Sequence, residues 1–176
     1  MNLKHELTTN RLTLRPLSTD DAQAVFTWAS NPANALYMFW EVSETIEQVE
    51  DFLSSTKLGY DFAIVLDDAV IGSCGIYPKY PTGTAEMGWI IHLDHHKKGY
   101  GSEICAELIR YGFEDLKLHR IFAPCAAANY GSYRVMERNG MKHEATFKKA
   151  FWARVDKEWV DEKVYSILAE DYFQKN

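Results

Sequence analysis

Basic residues and cysteines are both scarce in this chain, and each scarcity excludes something. Lysine and arginine number 19 against 25 acidic residues, a formal net charge of −6. That is the opposite of the balance a nucleic-acid-binding surface needs. The three cysteines, Cys74, Cys105 and Cys125, are far apart, odd in number and each set in an apolar stretch. They read as buried free thiols, not as a disulfide framework or a metal site. No apolar run approaches the length of a membrane span. Met1-Asn2-Leu3-Lys4-His5-Glu6 has no apolar core behind it, as a signal peptide would. Internal repeats, low-complexity segments and linkers are absent too. The expectation is a soluble cytoplasmic protein with no nucleic-acid or membrane partner. Its 176 residues form one domain, 1–176, long enough to bury a substantial core. The sequence is silent on whether that domain is a monomer or a homodimer.

What the chain does have is a succession of short periodic segments. Arg11–Leu17 alternates apolar and polar residues like a half-buried strand, and Pro16 ends it. Ser18 ahead of Asp20 and Asp21 predicts a helix start. Ala22, Val25, Phe26 and Ala29 make the inner side of that helix, and Asn31-Pro32 its stop. The aromatic stretch Ala35 to Val42 has no clean period. A second helix is predicted from about Thr45 to Ser54. Tyr60–Leu66 and Val70–Tyr77 read as a hairpin about Asp67-Asp68, and Thr84–Ile91 as the next strand. A helix from about Gly101 to Leu116, a strand near His119–Ala126 and a short helix near Tyr130–Arg138, closed by Asn139-Gly140, come next. Two strands, roughly Lys142–Arg154 and Glu158–Ala169, close the chain. Hairpin connections dominate, so the fold class is α+β with a mostly antiparallel sheet.

The junction His96-Lys97-Lys98-Gly99-Tyr100-Gly101-Ser102 carries the first chemistry. An apolar β-type run ends there and a helix begins, and two glycines let backbone N–H groups turn toward one point. Such a loop binds an anion, most commonly a phosphate. A dinucleotide loop would need a third glycine where Ile104 stands, and a nucleoside-triphosphate loop would need a Gly-Lys-Ser/Thr that occurs nowhere. The pyrophosphate loop of an acyl-CoA enzyme fits, with Lys97 and Lys98 beside it. For an isolated Gly-x-Gly, an ordinary tight turn is an equal reading.

A second motif, Asn129-Tyr130-Gly131-Ser132-Tyr133, decides the matter. With it the chain resembles the GNAT superfamily of acyl-CoA-dependent N-acetyltransferases, and within that the ribosomal-protein N-terminal (alanine) acetyltransferase type. Arg11–Leu17 is similar to the family's opening strand and Ala85–Trp89 to its central strand. Residues 96–101 resemble its pyrophosphate loop, Asn129 with Ser132 its Asn-x-x-Ser helix, and Trp159–Leu168 its closing strand. The resemblance implies a mixed, mostly antiparallel sheet flanked by helices and splayed at the central strands, with acetyl-CoA as co-substrate and no metal.

It also implies roles. Backbone groups of Trp89, Ile90 and Ile91 would pair with the pantetheine arm as an added strand does. The loop His96, Lys97, Lys98, Gly99, Tyr100, Gly101 and Ser102 would take the pyrophosphate. His96 stands where relatives often carry Arg or Gln. Asn129 would reach the pantetheine or acetyl end, although helix capping explains an Asn there as well. Ser132 would sit near the thioester sulfur and protonate the leaving thiolate, with Tyr133 as an alternative. An N–H near Ile91 would face the oxyanion.

The base is less evident. Relatives that acetylate ribosomal proteins carry a glutamate on the strand after the Asn-x-x-Ser helix, and that position is Phe151 here. Glu86 is the best remaining carboxylate, equally readable as a partner for a basic side chain on a neighbouring strand. Neutralising an α-amine at pH 7 costs about 1.4 kcal/mol, whereas a lysine ε-amine costs about 4.6 kcal/mol. A site short of a strong base therefore favours a protein or peptide α-amine as acceptor. The alternatives are a small amine (polyamine, aminoglycoside or amino-acid metabolite) and a non-catalytic acyl-CoA binder. His92, Asp94, His95 and His96 crowd one segment but fit no standard ligand spacing. His143, and the aromatics Tyr37, Phe39, Trp40, Phe151 and Trp152, have packing roles as ready as functional ones.

Overall fold

The computed structural model describes residues 6–174. β1 (Leu7–Thr8) and β2 (Thr13–Pro16) open the chain, and Leu14 is fully buried at their centre. The helix signal at Ser18 is realised through Asp21. Its carboxylate accepts the Ser18 N–H at 3.0 Å and both Arg15 guanidinium nitrogens at 2.9 and 2.7 Å. Helix α1 (Ala22–Ala29) buries Ala22, Val25, Trp28 and Ala29, while Phe26 packs only partly. Asn31-Pro32 does more than stop it. Asn31 caps a short helix α2 (Pro32–Ala35), accepting the Ala33 N–H at 2.9 Å, and Pro32 stands at the first helical position, where no N–H is needed.

Helix α3 (Ile46–Ser54) is capped by Thr45, as its sequence predicts. Strands β3 (Asp61–Leu66), β4 (Ala69–Lys79) and β5 (Thr84–Ile91) form the antiparallel middle of the sheet. Helix α4 (Tyr100–Arg110) continues into a π-helical turn over Tyr111–Asp115, so the predicted helix is two geometries in series. Strand β6 (Arg120–Ala126), helix α5 (Tyr130–Arg138), the hairpin β7 (Lys142–Ala153) and β8 (Glu158–Leu168), and helix α6 (Ala169–Phe173) complete the chain.

The eight strands form one mixed, mostly antiparallel sheet in the order β1-β2-β3-β4-β5-β6-β8-β7. One face packs against α4 and α5, joining Met87, Ile121 and Tyr165 to Ile104, Leu108 and Met136. The other packs against α1 and α3, joining Ala63 and Ile90 to Val25, Trp28, Val49 and Leu53.

The parallel pair β5–β6 is the weak seam. It is in register only at Thr84↔Arg120, Ala85↔Ile121 and Glu86↔Phe122. Beyond Glu86, β5 runs on to Ile91 held only by β4, and β6 runs on to Ala126 held only by β8. The sheet opens there, and side-chain alternation sorts what borders the opening. Gly75, Tyr77, Glu86, Gly88, Phe122, Glu162 and Phe151 share the α1–α3 face through their registers. Trp89, Cys125, Lys163 and Tyr165 share the α4–α5 face.

Candidate active site

At the top of the opening, residues 96–102 turn from β5 into α4. Lys97 (φ 61°) and Gly99 (φ 87°) both adopt left-handed backbone, with Lys98 between them. Alternating conformations of this kind gather successive N–H groups into a concave anion seat. Among the described residues, the N–H groups of 97–101 have no backbone acceptor, whereas those of Ser102 and Glu103 are taken by the Gly99 carbonyl at 3.1 and 3.2 Å. Ser102 therefore contributes no backbone donor, contrary to its predicted share in the seat. Its hydroxyl accepts from Asn139 Nδ2 at 3.0 Å and ties α4 to α5.

The loop is held from behind by residues that sequence reasoning passed over. Arg11 donates to the Lys98 carbonyl at 3.0 Å, lies 4.5 Å from the centre of the Tyr100 ring and pairs with Glu103 at 2.7 Å. Burial pushes the Glu103 carboxyl up, but hydrogen bonds from Thr9 and Arg11 outweigh it and hold the group below its ordinary range. His96 ties the loop to the strand. Its Nε2 donates to the Ile91 carbonyl at 2.8 Å, the only role open to it against an acceptor. Its side chain is thus a brace, not a phosphate ligand.

The free edge of β5 is narrower than predicted. The His92 N–H bonds the Ile71 carbonyl of β4 at 2.7 Å. Alternation therefore turns the peptide groups of Ile90 toward β4, and those of Met87, Trp89 and Ile91 toward the opening. The Ile91 carbonyl already accepts from His96 and from Asn34 Nδ2 at 2.9 Å. The Met87 N–H is spent on the Phe122 carbonyl, as the parallel pairing of Glu86 with Phe122 requires. Ile90 and the Ile91 carbonyl are also withdrawn from the expected pairing; Trp89, the Met87 carbonyl and the Ile91 N–H remain. Asn34 is buried, and its Oδ1 also receives the Leu93 N–H at 3.3 Å. Nothing in its sequence neighbourhood announced that bracket.

On the α4–α5 face, Asn129 Oδ1 accepts the Ser132 N–H at 3.1 Å, the capping role its position allows. The Ser132 side chain favours the ionised form of the Cys125 thiol on the same face. Burial pushes that thiol up to about 11, against the opposing pull of Lys163 and Ser132. The Tyr133 ring stacks on Tyr165 at 6.1 Å and carries the Lys163 ammonium 4.0 Å from its centre. His143, beside Tyr165 at 5.2 Å, lies on this face as well, away from the carboxylates.

The α1–α3 face is acidic. Glu86 pairs with Lys79 at 3.1 Å, with side chains 39% and 54% exposed, so solvent screens the pair and leaves the carboxylate accessible. Tyr77 donates to Asp61 at 2.7 Å, and burial and then the Asp61 charge push its phenol well up. Its hydroxyl crosses Gly75 so closely that a Cβ there would come within 2.2 Å. Opposite, a Cβ on Gly88 would meet nothing within 4 Å, which leaves a clear floor beside Glu86.

Glu162 is the residue that the sequence reading missed. Its carboxyl is pushed up by burial and then by the charge of Glu86. Phe151 pairs with Val160, and Val160 and Glu162 are successive residues on one face of β8. A carboxylate thus stands one step along from the position that Phe151 leaves without one. The available signal was a charged triplet, Asp161-Glu162-Lys163, inside a strand with neighbours on both sides. Above this face, Arg154 of the β7–β8 hairpin holds the segment after α2, donating to the Phe39 carbonyl at 2.6 Å and pairing with Glu41 at 3.2 Å.

Among the described residues, no three His, Cys, Asp or Glu side chains gather as a metal site, and no helix is long and apolar enough to cross a membrane. The described cysteines are free and buried.

Known proteins share this fold. The family model for the acetyltransferase (GNAT) domain matches residues 11–142. The chain is similar to the uncharacterised N-acetyltransferase YnaD of Bacillus subtilis, 35% identical over 94% of this chain and 98% of that protein. It is similar to the spermidine N(1)-acetyltransferase of Vibrio cholerae, 25% identical over 95% and 98% of the two chains. The crystal structure of a GNAT-family acetyltransferase from Bacillus anthracis superposes with a TM-score of 0.85 at 33% identity, covering 94% of this chain and 99% of that one. In fold alone it also matches RimL, a ribosomal L7/L12 α-N-protein acetyltransferase solved with coenzyme A. There the TM-score is 0.82 at 18% identity, over 92% and 96% of the chains.

Proposed function

The chain belongs to the GNAT family of acetyl-CoA-dependent N-acetyltransferases, and from that premise we propose how its opening is used. The N–H groups of 97–101 and the free edge of β5 at the Met87 carbonyl, Trp89 and the Ile91 N–H fit a pyrophosphate followed by a pantetheine arm. Acetyl-CoA supplies the thioester. The amine enters from the α1–α3 face over Gly88, and Glu162, with Glu86 beside it, takes the proton that the amine sheds. Ser132, on the opposite face, gives a proton to the departing sulfur. The observation that carries this reading is the division of the two groups: carboxylates on one face of the opening, the Ser132 hydroxyl on the other.

The acceptor we propose is a protein or peptide α-amine. It needs only about 1.4 kcal/mol to lose its proton at pH 7, against about 4.6 kcal/mol for an ε-amine. Phe151 and the exposed Phe39 favour a chain-like acceptor that lays apolar surface against the entrance. A second reading, a small polyamine, draws on the acidity of the entry face (Asp61, Glu86 and Glu162) and on the likeness to a spermidine acetyltransferase.

Thiol release from acetyl-CoA, measured at pH 7.5 with matched α-amine and ε-amine peptides and with spermidine, separates the two. The α-amine peptide is expected to turn over fastest. A clear preference for spermidine or the ε-amine would replace it. Stabilisation by acetyl-CoA with no thiol release from any amine would leave a binder, not an enzyme.

A further inference from the structure

Lys163 is a half-buried cation that the proton transfers leave unused. Among the described residues it has no carboxylate partner within ion-pair distance. Its ammonium lies 4.0 Å from the centre of the Tyr133 ring, and its backbone is in register with Cys125, whose thiol feels its charge. Around it stand Tyr133 of α5 and Tyr165 of β8, with His143 of β7 and Glu137 of α5 on the Tyr165 ring and hydroxyl, and the Cys125 thiol also feels the opposing charge of Glu162. The Glu137 carboxylate is occupied by the Tyr165 hydroxyl at 3.1 Å and by Arg134 at 2.8 Å. The Cys125 thiol on this same face is also influenced by Ser132. A positive charge without an ion-pair partner among the described residues is thus held over Tyr133, the neighbour of the Ser132 assigned to the leaving group.

We propose that Lys163 is a catalytic residue that stabilises the coenzyme A thiolate as it departs, a role resting on the placement of the thioester beside Ser132. The amine nitrogen forms the new C–N bond and the C–S bond breaks. The electron pair of that bond leaves on sulfur, and the amine's proton goes to the carboxylate face. Negative charge grows on sulfur before the Ser132 proton reaches it, and a preorganised cation there acts only when that charge appears. Lys163 itself transfers no proton. The Tyr133 face holds the ammonium in place while no sulfur anion is present.

The test compares coenzyme A with desulfo-coenzyme A, which lacks the sulfur, by calorimetric titration at pH 8.5. Wild-type protein is expected to bind coenzyme A at least fivefold more tightly than the desulfo compound. Lys163→Met should reduce that preference to near unity, leave desulfo-coenzyme A affinity unchanged and lower kcat about tenfold, with Lys163→Arg restoring most of both. Lys163→Gln provides a second neutral side chain if the methionine variant folds poorly. An undiminished preference for the thiol in the neutral variants would overturn the role of Lys163 alone. Failure of wild-type protein to bind either compound would overturn the placement of the donor, and this inference with it.

Discussion

Ser132 and Glu162 flank the opening from opposite faces, so their removal should register in different quantities. Ser132→Ala is expected to lower kcat at least tenfold while acetyl-CoA affinity, read by titration, hardly changes. A wild-type rate would remove Ser132 as the acid. Glu162→Gln should lower kcat/KM for the amine about tenfold at pH 7. The loss should shrink as pH rises toward the amine's own pKa, because neutral amine then arrives without help from the protein. A deficit independent of pH would instead mark Glu162 as a binding contact. Glu86 is the weaker candidate, because Lys79 already engages it. Ser132 was singled out in the sequence by its spacing to Asn129, which caps its N–H. Glu162 was not, because its significance depends on Phe151 facing the same way two strands from the opening, a fact of register.

The elements that carry the site are fixed by contacts remote in sequence. The loop proposed to seat the pyrophosphate is clamped by Arg11 through Lys98, Tyr100 and Glu103. Arg11→Ala should therefore raise the KM for acetyl-CoA about tenfold, with a smaller effect on kcat. An unchanged KM would show that the loop holds its own shape. At the other end of the opening strand, Asp21 joins Arg15 to the start of α1. Burial pushes its carboxyl up, but hydrogen bonds from Arg15 and Ser18 prevail and hold it below its ordinary value of 3.8. A depressed folded-state pKa contributes stability that is present above the unfolded value and lost as pH falls through the folded one. Asp21→Ala should cost about 1–3 kcal/mol at neutral pH, having left Arg15 without its partner, and progressively less as pH falls below the carboxyl's ordinary value of 3.8. Denaturant melts at neutral and acid pH check this, and an equal loss at both would assign it to packing. Helix starts such as Thr45 and Asn129 were legible because their caps are local in sequence. The bracket from Asn34 to Ile91 joins residues 57 apart and leaves no local trace.

At the scale of the whole molecule, the mostly antiparallel sheet followed from hairpin spacing and family likeness, whereas the strand order β6-β8-β7 and the two faces of the opening are facts of register. Whether Trp89, Ile90 or Ile91 offers a free peptide group depends on which edge each one turns to β4, and a sequence run of apolar β-formers does not distinguish them. The opening itself comes from the parallel pair parting after Glu86, and donor and acceptor are proposed to meet there from opposite sides of a single sheet. The measurement that tests this most directly is transfer itself: acetyl-CoA and an α-amine peptide incubated with the protein, with free thiol and N-acetyl product quantified together. Equal amounts of thiol and acetylated amine, abolished or cut at least tenfold in a Ser132→Ala, Glu162→Gln double variant that still binds acetyl-CoA, are the predicted result. Transfer at the wild-type rate in that double variant would contradict the account.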